Sequence, residues 1–315
     1  TGVDAIRTDS SHSALPLSLF TELDHHSRAS QLCGMLPHAK SLACALDQDK
    51  DVHSLLKSGG LMSRRFVIRG FSLFAILIGL LAIAADSQAA RAASPCVPLP
   101  YRSVSYIACT VDLRAYLVRL FWKDSQQQPY GGFDRLPRRV ADDPIVFAMN
   151  AGMYEEDLSP VGLYVEDGKT LRPANLKNGS GNFYLKPNGV LYITGRDAGI
   201  ITTDRFVSER RHVDFATQSG PMLVINGHTN PRIKSGSTSQ KIRNGVGIRD
   251  SHTLVFAISE QPVSFWDFAQ FFRVGLHSQS ALFLDGSISS LYAPALHRSD
   301  TLYPMGPIVA AYERK

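Results

Sequence analysis

Residues 147–168 read FAMNAGMYEEDLSPVGLYVEDG. The apolar run Ile145 to Met149 has the length of a buried strand, and it stops at Asn150-Ala151-Gly152. Three acids follow at Glu155, Glu156 and Asp157. From Val161 to Val165 the chain resumes as an alternating strand that closes on Asp167-Gly168, a strong turn signal. A core strand has been interrupted to display an amide, a phenol (Tyr154) and carboxylates. The ends of rigid strands are where sites are commonly built, and they are also where any chain turns.

Outward from this stretch, short alternating segments dominate residues 93–315. Strands are expected at Tyr101 to Thr110, Arg114 to Phe121, Phe183 to Lys186, Val190 to Thr194, Phe215 to Thr217, Pro221 to Ile225, Gly245 to Ile248, Thr253 to Ser259 and Ala281 to Leu284. YLKPNGVLYIT, residues 184–194, reads as two strands around a Pro-Asn-Gly hairpin turn. Helices are fewer. SFWDFAQFFRVGL, Ser264 to Leu276, offers Ser264 as N-cap with Asp267 three residues on, and an apolar stripe of Phe265, Phe268, Ala269 and Phe272. A second helix is expected around Asp204 to Arg211. With no Gly-rich nucleotide fingerprint, the pattern predicts an α+β fold: a mixed, mainly antiparallel sheet core with a few packing helices, in a single domain.

The chain has 315 residues, 44% hydrophobic and 19% charged, the composition of a globular protein. One segment departs from that average. Met62-Ser63-Arg64-Arg65 precedes an apolar run, Phe66 to Ala85, and then small residues around Ala89 and Ala92, which are the three parts of an export signal. Arg64-Arg65 fits the twin-arginine type, and an ordinary secretory signal fits as well. Gly70 to Ala85 is roughly sixteen residues, short of the ~20 a membrane span needs, so a membrane connection is expected only through an uncleaved signal. The reading is therefore an upstream extension without folded structure at 1–61, a signal at 62–92 and the domain at 93–315, with a periplasmic or secreted location. Cys33 and Cys44 with His25, His26 and His38 match no metal-ligand spacing. In an oxidising compartment Cys96 and Cys109 would form one disulfide, the alternative being two free thiols.

The net charge is +5, and no basic run with interleaved aromatics occurs, so nucleic acid is not an expected partner. Four polar clusters sit at strand ends: Asn150, Gly152 and Tyr154; Ser219 and Gly220; Lys241, Arg243 and Asn244; and Asp285, Gly286, Ser287 and Ser289. Neither a hydrolase serine elbow nor His-Glu-x-x-His is present. From the residues alone the expectation is an exported α+β protein with a polar cleft.

The motifs NAGMY, SPVGLYVEDGK, SGNFYLKPNGVLYIT, FATQSGPMLVINGH, KIRNGVGI, VFAISE and ALFLDGSISSLY, in that order over about residues 100–312, resemble the phosphodiester glycosidase family. The resemblance implies hydrolysis of a sugar joined through its anomeric carbon to a phosphodiester. Such a site needs a phosphate ligand and a carboxylate. Arg243 is expected at the phosphate, assisted by Lys241, Asn244 and the Ser219-Gly220 backbone. Asp285 is expected as the catalytic carboxylate, with Glu155 and Glu166 in reserve, and Asn150 and Tyr154 at sugar hydroxyls. Members of the family tend to carry Asp-Gly-Gly where this chain has Asp285-Gly286-Ser287, and the added Cβ would narrow that approach; the chain looks more like a bacterial-type branch. No particular cofactor is indicated, and a divalent metal held by Asp285 and its neighbours stays open. The alternative is a non-catalytic envelope protein that binds a glycan or anionic polymer in the same cleft.

Overall fold

A computed structural model describes residues 94–315 apart from Ser287; the expected extension and export signal lie outside the described residues. Three sheets account for the strands. The first has the order β1 (Cys96–Tyr101), β2 (Val104–Asp112), β14 (Thr253–Ser259), β13 (Asn244–Ile248), β15 (Ser280–Phe283), β11 (Met222–Ile225) and β12 (His228–Thr229). The second runs β7 (Lys169–Arg172), β6 (Tyr164–Glu166), β10 (Phe215–Ser219), β8 (Gly189–Thr194) and β9 (Asp197–Thr202). The third runs β17 (Arg298–Ser299), β16 (Leu291–Ala293), β5 (Asp143–Asn150), β18 (Ile308–Glu313) and β3 (Tyr116–Phe121), with β4 (Arg139–Val140) beside β5. Every strand pairing is antiparallel.

The inner faces of all three sheets share one core. Leu254, Phe256 and Ile258 of β14 enter it together with Phe147 and Met149 of β5 and Leu191 and Ile193 of β8. The intervening residues of β14, Val255 and Ala257, face a second layer. Period-two alternation buried on both sides explains why these strands read as unbroken apolar runs. The second layer is the helical cover. Helix α1 (Thr203–Ser208) packs Phe206 on the second sheet. Helix α2 (Phe265–Gln270) continues as a π-helical turn, Phe271–Gly275, over the first sheet. Ser264 caps α2 by accepting from Asp267 N–H at 3.1 Å, and the whole expected stripe, Phe265, Phe268, Ala269 and Phe272, is buried.

Two expectations fail for local reasons. Residues 184–194 are not a hairpin. Asn182–Tyr184 is a 3-10 turn, Asn188 Nδ2 donates to Phe183 O at 3.1 Å, and β8 pairs instead with β9 across Gly195-Arg196. The Pro-Asn-Gly segment serves the sheet differently, with Pro187 O accepting from Met222 N–H at 2.9 Å. Nor is Tyr101 to Thr110 one strand. It splits at Arg102-Ser103, both with positive φ (46° and 66°), into the β1–β2 hairpin. That turn ordinarily selects Asn-Gly, so Arg-Ser carries no signal for it. Across this hairpin Cys96 faces Cys109, and the two form a disulfide.

Candidate active site

The four polar clusters come together because each ends a strand at the same seam. Asn150 ends β5 of the third sheet, Ser219 ends β10 of the second, and Asn244 begins β13 of the first. Asp285 follows β15 of the first sheet after Leu284. The seam is held by amides. Asn244 Nδ2 donates to both the main-chain O and Oδ1 of Asn150, each at 2.9 Å. Asn244 Oδ1 accepts from Asp285 N–H at 3.0 Å, and Asn150 Oδ1 accepts from Ser290 N–H at 2.8 Å. Ser219 Oγ donates to Leu284 O at 2.7 Å, and Ser289 Oγ to Asp285 O at 2.8 Å. The loop carrying Asp285 is thus fastened from all three sheets. Buried polar groups of this kind fix one geometry when they are satisfied.

Several residues expected at the substrate also make bonds or close contacts within the protein. The Asn244 amide and the Ser219 hydroxyl bind the 284–290 loop. A Cβ on Gly152 would stand 2.4 Å from Thr217 Oγ1, and one on Gly220 2.7 Å from Asn188 Cβ, so both glycines permit close packing. Tyr154 donates its hydroxyl to Pro304 O at 2.9 Å. Burial, and next the nearby Asp285, push its phenol pKa well up, so it stays protonated. Asn150 keeps one group unspent: its Nδ2 is buried with no hydrogen-bond partner among the described residues.

Arg243 is the unusual member. It is 1% exposed, and its guanidinium lies 3.7 Å from the Phe265 ring centroid. Nε donates to Val263 O at 2.8 Å and Nη2 to Ser239 O at 3.0 Å. It forms no salt bridge among the described residues. Burial lowers its pKa to about 10. Nη1 lies against Gly286, where a Cβ would be 3.4 Å from it and 2.7 Å from the Phe283 ring. The tight contact is the one with the ring, so glycine at 286 lets the segment after Asp285 pack on Phe283 beside the guanidinium. Lys241 is exposed, and its backbone bridges to Val263.

Gly286, Ser289 and Ser290 line a cleft of about 340 Å³ with Ile288, Glu260, Arg298, Asp300, Leu302 and Tyr303. Arg298 is ion-paired to Glu260 and, at 2.8 Å, to Asp300. Glu260, the acid that ends VFAISE, shares with Asp285 the pattern of an acid just past a buried strand, and that pattern marks it in the sequence. Arg298 and Asp300 carry no such mark. The reserve acids are elsewhere: Glu155 is exposed on its loop, and Glu166 accepts the Tyr164 hydroxyl at 2.8 Å, with burial raising its pKa. Among the described residues no three His, Cys, Asp or Glu side chains gather as a metal site. Ser287 lies outside the described residues.

The seam brings together a carboxylate, a buried guanidinium and an unspent amide, and Gly286, Ser289 and Ser290 connect it to a neighbouring cleft whose lining does not include Asp285, Arg243 or Asn150. The phosphodiester glycosidase family profile matches residues 143–302, which contain all four clusters. The Escherichia coli (strain K12) protein called Uncharacterized protein YigE is 36% identical over 241 residues, covering 76% of this chain and 90% of that protein. The catalytic domain of zebrafish N-acetylglucosamine-1-phosphodiester alpha-N-acetylglucosaminidase, auto-inhibited by its pro-peptide, is 16% identical with a TM-score of 0.46, over 70% of this chain and 82% of that one. A hypothetical protein from Synechocystis is 13% identical with a TM-score of 0.46, over 70% of this chain and 61% of that one. With the profile spanning half the chain and a relative above a third identical over most of it, this protein belongs to the phosphodiester glycosidase family and is a hydrolase of that kind.

Proposed function

We propose that the enzyme is exported and cleaves a sugar-1-phosphodiester in an envelope or extracellular glycan, using Arg243 and Asp285. The observation that carries the reading is a buried guanidinium without a carboxylate partner among the described residues, lying against Gly286, the residue that follows the candidate acid. A buried cation without a counter-charge is costly, and a phosphate oxygen pair is the anion that a guanidinium fork fits best. Export is supported by the cationic-apolar-small segment at 62–92 and by the Cys96–Cys109 disulfide, a bond that persists in oxidising compartments.

In this reading the bond between the anomeric carbon and the phosphate oxygen breaks, and its electron pair leaves with the phosphate. Arg243 holds that phosphate, so the leaving group needs little protonation. The ring passes through an oxocarbenium-like state, which the Asp285 carboxylate stabilises. Water adds to the anomeric carbon and its proton passes to Asp285. The amide lacing of Asn150, Asn244 and Ser289 keeps Asp285 in place through its backbone.

The test is hydrolysis of a nitrophenyl-sugar phosphodiester. Asp285→Asn should stay folded and lose about 10²–10⁴-fold in rate, the usual range for a positioned acid or base. Oxygen-18 from water should appear in the released sugar and not in the phosphate. Full turnover in both Asp285→Asn and Arg243→Ala would overturn the assignment. Cell fractionation that finds the protein only in the cytoplasm would overturn the export.

A further inference from the structure

Two long stretches that reach the site carry no acid. From Gly168 to Arg196 there is no Asp or Glu, and from Phe215 to Arg249 there is again none. The fold brings parts of both to the site. Met222 N–H donates to Pro187 O at 2.9 Å, and Met222 O accepts from Asn230 Nδ2 at 2.8 Å, so loops 172–188 and 230–243 adjoin at the first residue of β11. The first loop also abuts Gly220, and the second ends on Arg243, with Ser239 O bonded to the guanidinium. Lys177, Arg232, Lys234 and Lys241 are exposed on these loops, and none forms an ion pair among the described residues. The neighbouring acids are on the 153–161 loop, where Arg172 donates to Ser159 Oγ and Pro160 O and helps to lower the pKa of Asp157. Arg249 is at the other end of β13 and takes no part.

We propose that this basic rim carries a substrate that continues beyond the scissile phosphate as a polyanion, a glycan whose repeating units are themselves joined by phosphodiesters. The proposal rests on the phosphodiester reading of the Arg243 site and extends it from one phosphate to several. A neutral continuation would gain nothing from unpaired cations, whereas a repeating diester presents a further charge with each unit. Nucleic acid is disfavoured because the aromatics of these loops are not presented for stacking: Phe183 is buried, and Tyr184 packs edge-on against it with ring centroids 5.1 Å apart.

The experiment titrates the full chain with inorganic phosphate, tripolyphosphate and oligothymidylate of matched charge. The comparison is with the K177Q/R232Q/K234Q variant, which leaves every residue assigned to the Arg243 site in place. Tripolyphosphate should bind the wild type about tenfold more tightly than phosphate at low salt, as three roughly twofold surface contacts give. That advantage should vanish in the triple variant and at high salt, while phosphate binding stays unchanged. Equal affinity for phosphate and tripolyphosphate, or an advantage that survives the triple substitution, overturns the rim. Oligothymidylate bound more tightly than tripolyphosphate also overturns it and assigns the loops to nucleic acid. Failure of the underlying reading looks different: phosphate does not bind or binds Arg243→Ala equally well, whatever tripolyphosphate does.

Discussion

Arg298 lines the cleft at Gly286, Arg243 is buried against the same glycine, and the two meet opposite surroundings. Arg298 is held by Glu260 and Asp300; burial works against its charge, yet the two carboxylates leave its pKa raised. Arg243 is more deeply buried, has backbone carbonyls and an aromatic face for company, and its pKa falls. In the function proposed above, the difference separates a cation that holds the fold from one that holds the substrate phosphate. An ion pair satisfied within the protein contributes to the shape of the cleft, whereas a guanidinium with only neutral partners retains its attraction for an incoming anion.

The comparison breaks most sharply at Arg243. Arg243→Met should cost about 10³-fold in kcat/KM on the nitrophenyl diester, the scale of losing a charge clamp on a transferred group. Thermal melting should be unchanged or higher, since an apolar side chain of similar volume replaces an uncompensated charge. A large drop in Tm would make Arg243 structural and void the contrast. Arg298→Met should do the reverse. It strands two carboxylates, and because the pair is partly solvated the loss of stability should be about 1–3 kcal/mol, read by denaturant unfolding. The folded fraction should retain most of its turnover.

Asn150→Ala sharpens the seam on which both depend. It leaves Ser290 N–H without its acceptor, and a buried orphan of this kind costs about 1–3 kcal/mol. The rate should fall with little change in KM, as the Asp285 loop loosens. The smallest effect is in pH. For Arg243 the folded pKa lies below the ordinary guanidinium value, so the cost of burying its charge is present throughout the range below about 10. That cost is relieved as pH rises past this point. The stability gap between Arg243→Met and wild type should therefore narrow above about pH 10; a gap that widens there has the wrong sign.

How much of this was legible in the sequence depended on whether the signal was local. Asp167-Gly168 turns β6 into β7 with both residues at positive φ, as an Asp-Gly pair between alternating segments promises. Ser264 with Asp267 starts α2 where the capping pattern places it. Arg102-Ser103 makes the same kind of turn with residues that do not advertise it, and Pro187-Asn188-Gly189 advertises a hairpin but spends its groups on the 3-10 turn and on β11. At the site, strand-end position marked Asn150, Ser219, Arg243 and Asp285 as polar groups beside buried runs. Their division of labour was not readable. Asn244 meets Asn150 across 94 residues of sequence, and Ser219 meets Leu284 across 65, so which strand-end groups lace the Asp285 loop is decided by three-dimensional pairing alone.

Strand β1 has a consequence of its own. The Thr110 N–H bond to Pro95 O, with the one-to-one register that follows, makes 97, 99 and 101 the residues of β1 that hydrogen-bond to β2. Pro98 and Pro100 fall between them, at positions whose amides would point away from the sheet, and proline has no N–H to offer there. A foreign strand sliding along this border would find a row of missing donors, in a ribbon that the disulfide keeps from peeling off. The longest sheet of the molecule therefore has one margin on which it cannot be templated into fibres or swapped between copies.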